Sequence, residues 1–95
     1  DPKAAAKFLT PEIAPVFEEL ATAFSALPEF STAAMEATLH AIVEREGGTL
    51  KIHQPIRVAL TGGTASPGLF DVMEVLGREE VVRRLSSAAK RIRSV

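Results

Sequence analysis

The sequence contains no cysteine, no tryptophan and no tyrosine, and only two histidines. Without cysteine there are no disulfides and no thiolate metal sites. Two imidazoles, His40 and His53, are too few for a convincing zinc site without carboxylate help. Five phenylalanines make up all of the aromatic content, which argues against a β-sandwich, a fold that draws on β-branched and aromatic cross-strand pairs. No apolar run approaches the ~18 residues of a membrane span. Nothing at the start reads as a signal peptide, so the expectation is a cytoplasmic protein with no membrane partner.

What is present is mostly alanine and charge. Apolar residues make up 46% of the 95 residues, and alanine supplies much of that share, which favours helices packed closely through small side chains. The length fits one domain, residues 1–95, with a modest core. The net charge of −1 hides an asymmetry. Residues 1–48 carry eight acidic residues against three basic, and residues 49–95 carry eight basic against four acidic. A basic second half points weakly to an anionic partner there, with a solvated helix face as the plain alternative.

Helical punctuation recurs along the chain. Thr10-Pro11 suits a cap followed by Pro in the first turn. Ile13, Phe17, Leu20 and Phe24 then recur at helical spacing up to Leu27-Pro28. Pro15 cannot sit in a helix interior without breaking a hydrogen bond, so the regular helix is expected to begin near it, after a looser turn. A second helix starts at Ser31 or Thr32 and ends at Gly47-Gly48, with Met35, Leu39 and Ile42 inward. A third covers roughly 51–61. Ser66-Pro67 opens the fourth, which Gly77 terminates, and a fifth runs from about Arg78 to Arg91. Lys3 to Phe8 could add a short leading helix. No stretch alternates long enough for a strand, so the expected fold is all-α, a compact bundle of about five short helices.

The residues for catalysis are missing. There is no nucleophile with its base, and Gly62-Gly63 with Gly68 lacks the Gly-Lys-Ser/Thr of a phosphate loop. No catalytic residue, metal ligand or cofactor is therefore expected in these 95 residues. The segment between the third and fourth helices is more informative. With Ser66 as cap and Pro67 at the first helical position, the amides near Gly68 and Leu69 would lack intrahelical acceptors and face a ligand. Gly68 would permit close approach, and Leu69 could offer an apolar surface to a base. An ordinary helix cap with Leu69 in the core explains the same pattern. Arg57 can stack on a base and hydrogen-bond its edge, or it can form a structural salt bridge.

Three segments carry a family resemblance: "QPIRVALTG" at 54–62, "SPGLFDVMEVLG" at 66–77 and "REEVVRRL" at 78–85. Together they resemble the C-terminal anticodon-binding region of bacterial glutamyl-tRNA synthetases, class I enzymes that join glutamate to tRNA. The match is close over residues 51–85 and looser over 10–50. The resemblance implies a fragment of a larger synthetase whose ATP and Mg chemistry is done elsewhere. The adenylate-forming His-Ile-Gly-His-like and Lys-Met-Ser-Lys-Ser-like runs do not occur here. Carried over by position, it implies an anticodon site of Arg57, Ser66, Pro67, Gly68 and Leu69, shaped by Thr61 and Gly62. The implied partners are glutamate tRNA isoacceptors, through their anticodon loop, and the remainder of the synthetase, with no DNA. Lys51, Arg78, Arg83 and Arg84, with Arg91 beside them, are candidate phosphate contacts, which position RNA without reading its sequence. The alternative is a helical module that takes a partner helix in an apolar groove.

Overall fold

A computed structural model describes residues 2–64 and 67–94. Six α-helices are present among them, with no strand: α1 (Pro2–Phe8), α2 (Ala14–Ala26), α3 (Thr32–Arg45), α4 (His53–Thr61), α5 (Leu69–Leu76) and α6 (Arg78–Arg93). The expected all-α bundle is what forms, with the Lys3–Phe8 segment as the sixth helix. No helix among the described residues is long and apolar enough to cross a membrane.

Spacing dictates the central pairing. Phe17, Leu20 and Phe24 of α2 fall on one face, as do Val81, Leu85 and Ala88 of α6, and all six are buried. The two helices pack along their lengths, and the small residues Ala88 and Ala89 of α6 are buried. Met35, Leu39 and Ile42 of α3, Ile52 and Ile56 with Leu60 at α4, and Leu69 and Met73 of α5 complete one continuous core. Proline falls where the chain can accept it. A 3₁₀ turn, Pro11–Ile13, precedes α2, and Pro15 occupies the first turn of α2 itself. A missing N–H costs nothing there.

The helix ends are held by named groups. Ser31 caps α3, its Oγ accepting from the Ala34 N–H at 3.1 Å. The Glu74 carboxylate of α5 accepts from both the N–H and the hydroxyl of Thr32 at the same helix start. At the other end of α3 the Gly48 N–H donates to the Val43 carbonyl at 2.8 Å. This six-residue closure needs the positive φ of +90° at Gly47 and +81° at Gly48. Arg78 closes α2: its Nη1 donates to the carbonyls of Leu27 at 2.6 Å and Ser25 at 3.1 Å, and its guanidinium lies over the Phe30 ring.

Ion pairs lace the surface. Arg45 grips Glu19 of α2 through two hydrogen bonds of 2.6 and 2.8 Å, and Arg93 grips Glu18 through two of 2.7 Å. Exposed pairs of this kind each contribute ~0–1 kcal/mol. Core burial dominates instead. Phe17→Ala is expected to destabilise the fold by ~3–5 kcal/mol, whereas Arg45→Ala should cost under ~1 kcal/mol. Urea denaturation of both variants measures the contrast.

Candidate nucleic-acid interface

Helix α4 turns its apolar residues inward and leaves a polar strip outward. Ile52, Ile56 and Leu60 recur every four residues and are buried. His53, Arg57 and Thr61 follow each of them by one position and so share the adjacent face. His53 and Thr61 are exposed and Arg57 is half-buried. The Arg57 Nη1 donates to Gln54 Oε1 at 3.1 Å, which orients the guanidinium along this face.

The turn that follows is tied to α4. The Thr61 hydroxyl donates to the Arg57 carbonyl at 2.8 Å, and the Gly63 N–H donates back to that hydroxyl at 3.3 Å. Gly62 ends the helix with φ +83°, where a side chain would be strained, and its N–H reaches the Val58 carbonyl at 2.8 Å. Thr61 and Gly62 thus shape the turn through a hydroxyl clasp and a left-handed residue.

The start of α5 differs from the sequence reading. The helix begins at Leu69 with Gly68 as its cap, two residues later than an opening at Ser66-Pro67. Ser66 lies outside the described residues. Pro67, in a bend, and Gly68 are exposed and lead into the helix. Leu69 is only 4% exposed and belongs to the core. Its side chain therefore offers no surface to a base, and only its backbone borders the helix mouth. The first bond of the helix runs from the Val72 N–H to the Gly68 carbonyl at 3.0 Å. The amides of Leu69, Phe70 and Asp71 precede it, in the turn that has no intrahelical acceptors.

Asp71 qualifies what this mouth can receive. Its carboxylate folds back over the turn, so that a Cβ placed on Gly68 would stand 3.1 Å from Asp71 Oδ2. A carboxylate there complements the helix dipole and repels phosphate. The mouth suits an uncharged edge carrying both donors and acceptors, which is what a nucleobase presents. The sequence contained this signal, an acidic residue in the first turn, but did not say where the carboxylate would lie.

The candidate phosphate contacts divide by their partners. Arg78 is engaged at the end of α2, as described. Arg84 donates to the Leu60 carbonyl, closing the end of α4, and to Glu80 Oε2 at 2.8 Å. Arg83 is exposed and paired with Glu80 through bonds of 2.9 and 2.6 Å. Lys51 is exposed beside a small cleft with Phe8 and Gln54. A second cleft, of about 340 Å³, lies between the α4 turn and α6 and is lined by Gly62, Arg83, Arg84, Ser87 and Arg91. Arg91, exposed on the next turns of α6, joins the basic group there. Hydrogen bonds from Arg83 and Arg84 hold the Glu80 carboxyl down to about 2. No three His, Asp or Glu side chains converge as a metal site among the described residues.

The architecture defines a helical domain with a turn-and-helix-start site next to an arginine-bearing helix. The model of the anticodon binding domain family matches residues 1–89, and the chain belongs to that family. A glutamate–tRNA ligase from Anaeromyxobacter sp. (strain K) is 50% identical over 91 residues, covering 95% of this chain and 19% of that protein. Glutamate–tRNA ligase 1 from Syntrophus aciditrophicus is 47% identical, covering 99% and 20%. Among solved structures, a glutamate tRNA ligase from Elizabethkingia meningosepticum, crystallised with its amino acid, superposes with a TM-score of 0.86 at 32% identity. That match covers 97% of this chain and 18% of the other. The chain thus spans about a fifth of the length of its relatives.

The Glu80 geometry carries a pH dependence. A carboxyl whose pKa is lowered by folding contributes stability that is complete above its ordinary 4.5 and lost as the pH falls towards about 2. A ¹³C carboxyl titration of Glu80 should therefore show a midpoint near the lower value. Replacing Arg83 and Arg84 together by Gln should return it towards 4.5.

Proposed function

We infer that this chain is the part of a glutamate–tRNA ligase that reads the anticodon loop. Its partners are then glutamate tRNA and the rest of the synthetase, which carries the ATP- and Mg-dependent joining of glutamate to tRNA. The reading rests above all on one observation: a glutamate–tRNA ligase is 50% identical over 91 residues, 95% of this chain. No DNA or membrane partner enters it, and the cytoplasm is the compartment such a ligase works in.

In this reading the loop bases are splayed and present their Watson–Crick edges. Arg57, oriented by Gln54, hydrogen-bonds or stacks on one base. Backbone groups of Pro67, Gly68 and Leu69 meet the edge of a neighbouring base, with Ser66 in the same segment. The Asp71 carboxylate can accept from an exocyclic amino group, which favours cytosine or adenine over uracil. Phosphates would track along Lys51 on one side and along Arg83 and Arg91 on the other. Arg78 and Arg84, bound to helix-end carbonyls, supply charge at longer range. Backbone groups at the mouth, the Asp71 carboxylate and the Arg57 fork discriminate between sequences.

The test is binding of an anticodon stem-loop RNA by fluorescence anisotropy. Arg57→Ala should weaken binding to a CUC loop by ~5–150-fold, the loss of one good base contact. A loop with an unrelated anticodon should lose much less, and equal losses would reject base reading by Arg57. Arg91→Gln should weaken both loops alike and flatten the dependence of affinity on salt, as expected of a phosphate contact. Binding that ignores salt would instead favour a protein partner.

A further inference from the structure

A cleft of about 570 Å³ lies on the α3 side of the two helix starts. Its floor is apolar, from Leu39, Val43 and Phe70. Its edge carries both of the chain's imidazoles, His40 and His53, together with Glu36. The size is within the ~300–1,000 Å³ usual for small-molecule sites. Among the described residues, none of the anticodon site proposed above lines it, yet it abuts that site at two points. His53 precedes Arg57 by one helical turn on the same face of α4, and Phe70 follows Leu69 in the first turn of α5.

The rings of His53 and Phe70 meet edge to face, with centroids 6.1 Å apart and planes at 90°. In that geometry at least one face of the imidazole is not covered by Phe70, and His53 is exposed. An exposed imidazole beside an apolar floor can serve as a stacking platform for a flat ring. The rim selects the kind of ring. Glu36 repels phosphate and accepts hydrogen bonds, and imidazoles donate and accept. His40 also lies 3.7 Å from Glu44 one turn along α3. A nucleobase has the polar edge that matches Glu36 and His53, whereas the apolar face of a partner helix would leave these two unmatched.

We propose that this cleft takes an additional unpaired base of the bound RNA, stacked on His53, with its edge towards Glu36 and His40. The proposal rests on the RNA-reading function above. It makes His53 a contact that extends recognition beyond the base held by Arg57.

The test uses NMR titration of the 95-residue chain with a stem-loop RNA carrying a CUC anticodon, alongside anisotropy with His53 variants. The imidazole signals of both histidines and the Phe70 ring should shift together with the Arg57 and Gly68 signals. His53→Ala should weaken binding ~10-fold, the loss of one stacked base, without lowering the melting temperature, and His53→Phe should retain most of the affinity. If Arg57 and Gly68 respond while the two histidines do not, or if His53→Ala binds normally, the cleft proposal is overturned and the anticodon reading stands. If no signal moves with any RNA, both are overturned. Self-association in sedimentation experiments that is abolished by His53→Asp would assign the cleft to a second copy of the chain and overturn the proposal as well.

Discussion

Helices α2 and α6 are far apart in sequence, and their contact is the constraint on which the other elements depend. Phe17, Leu20 and Phe24 meet Val81, Leu85 and Ala88 with no solvent between them. Each remaining helix is short and would be marginal alone. Helices α3, α4 and α5 acquire their positions by placing two or three apolar residues against this pair. Arg57 and the Gly68 turn consequently sit on elements whose inward residues are locked. A recognition surface on such supports is pre-formed, which limits the ordering cost of binding.

Electrostatics adds orientation more than stability. The acidic first half and the basic second half partly neutralise each other, as in the Glu18–Arg93 pair between α2 and α6. Arg78 and Arg84 each reach a helix-end carbonyl, so two of the basic residues of α6 serve the fold. Arg83 shares its charge with Glu80, so what Arg91 and Lys51 offer a polyanion is less than the count of basic residues suggests.

Much of the fold was legible before any coordinates. Apolar spacing and the Pro, Ser and Gly punctuation located α2, α3, α4 and α6 within a few residues. The placement of Pro15 followed from its missing N–H. The start of α5 was misread because Ser-Pro is a strong local cap signal, while the burial of Leu69, a tertiary effect, sets the helix to begin there. The same burial removed Leu69 as a surface for a base. Within the site, Arg57 could be picked out by its polar position in an apolar helix. The return of Asp71 over Gly68 and the meeting of His53 with Phe70 could not, since both depend on how elements pack. Charge gave Arg78 and Arg84 as phosphate contacts, but a count of charges is blind to carbonyls at helix ends.

Glu74 joins the middle of α5 to the beginning of α3 by accepting twice from Thr32. Helix α3 forms one wall of the cleft edged by His40 and His53 but packs through only three fully buried residues. That exposed pair is one tie at the start of the helix beside the opening, while Met35, Leu39 and Ile42 hold α3 in the core. Substitution at position 74 would remove that tie from α3 and leave every wall residue of the cleft unchanged.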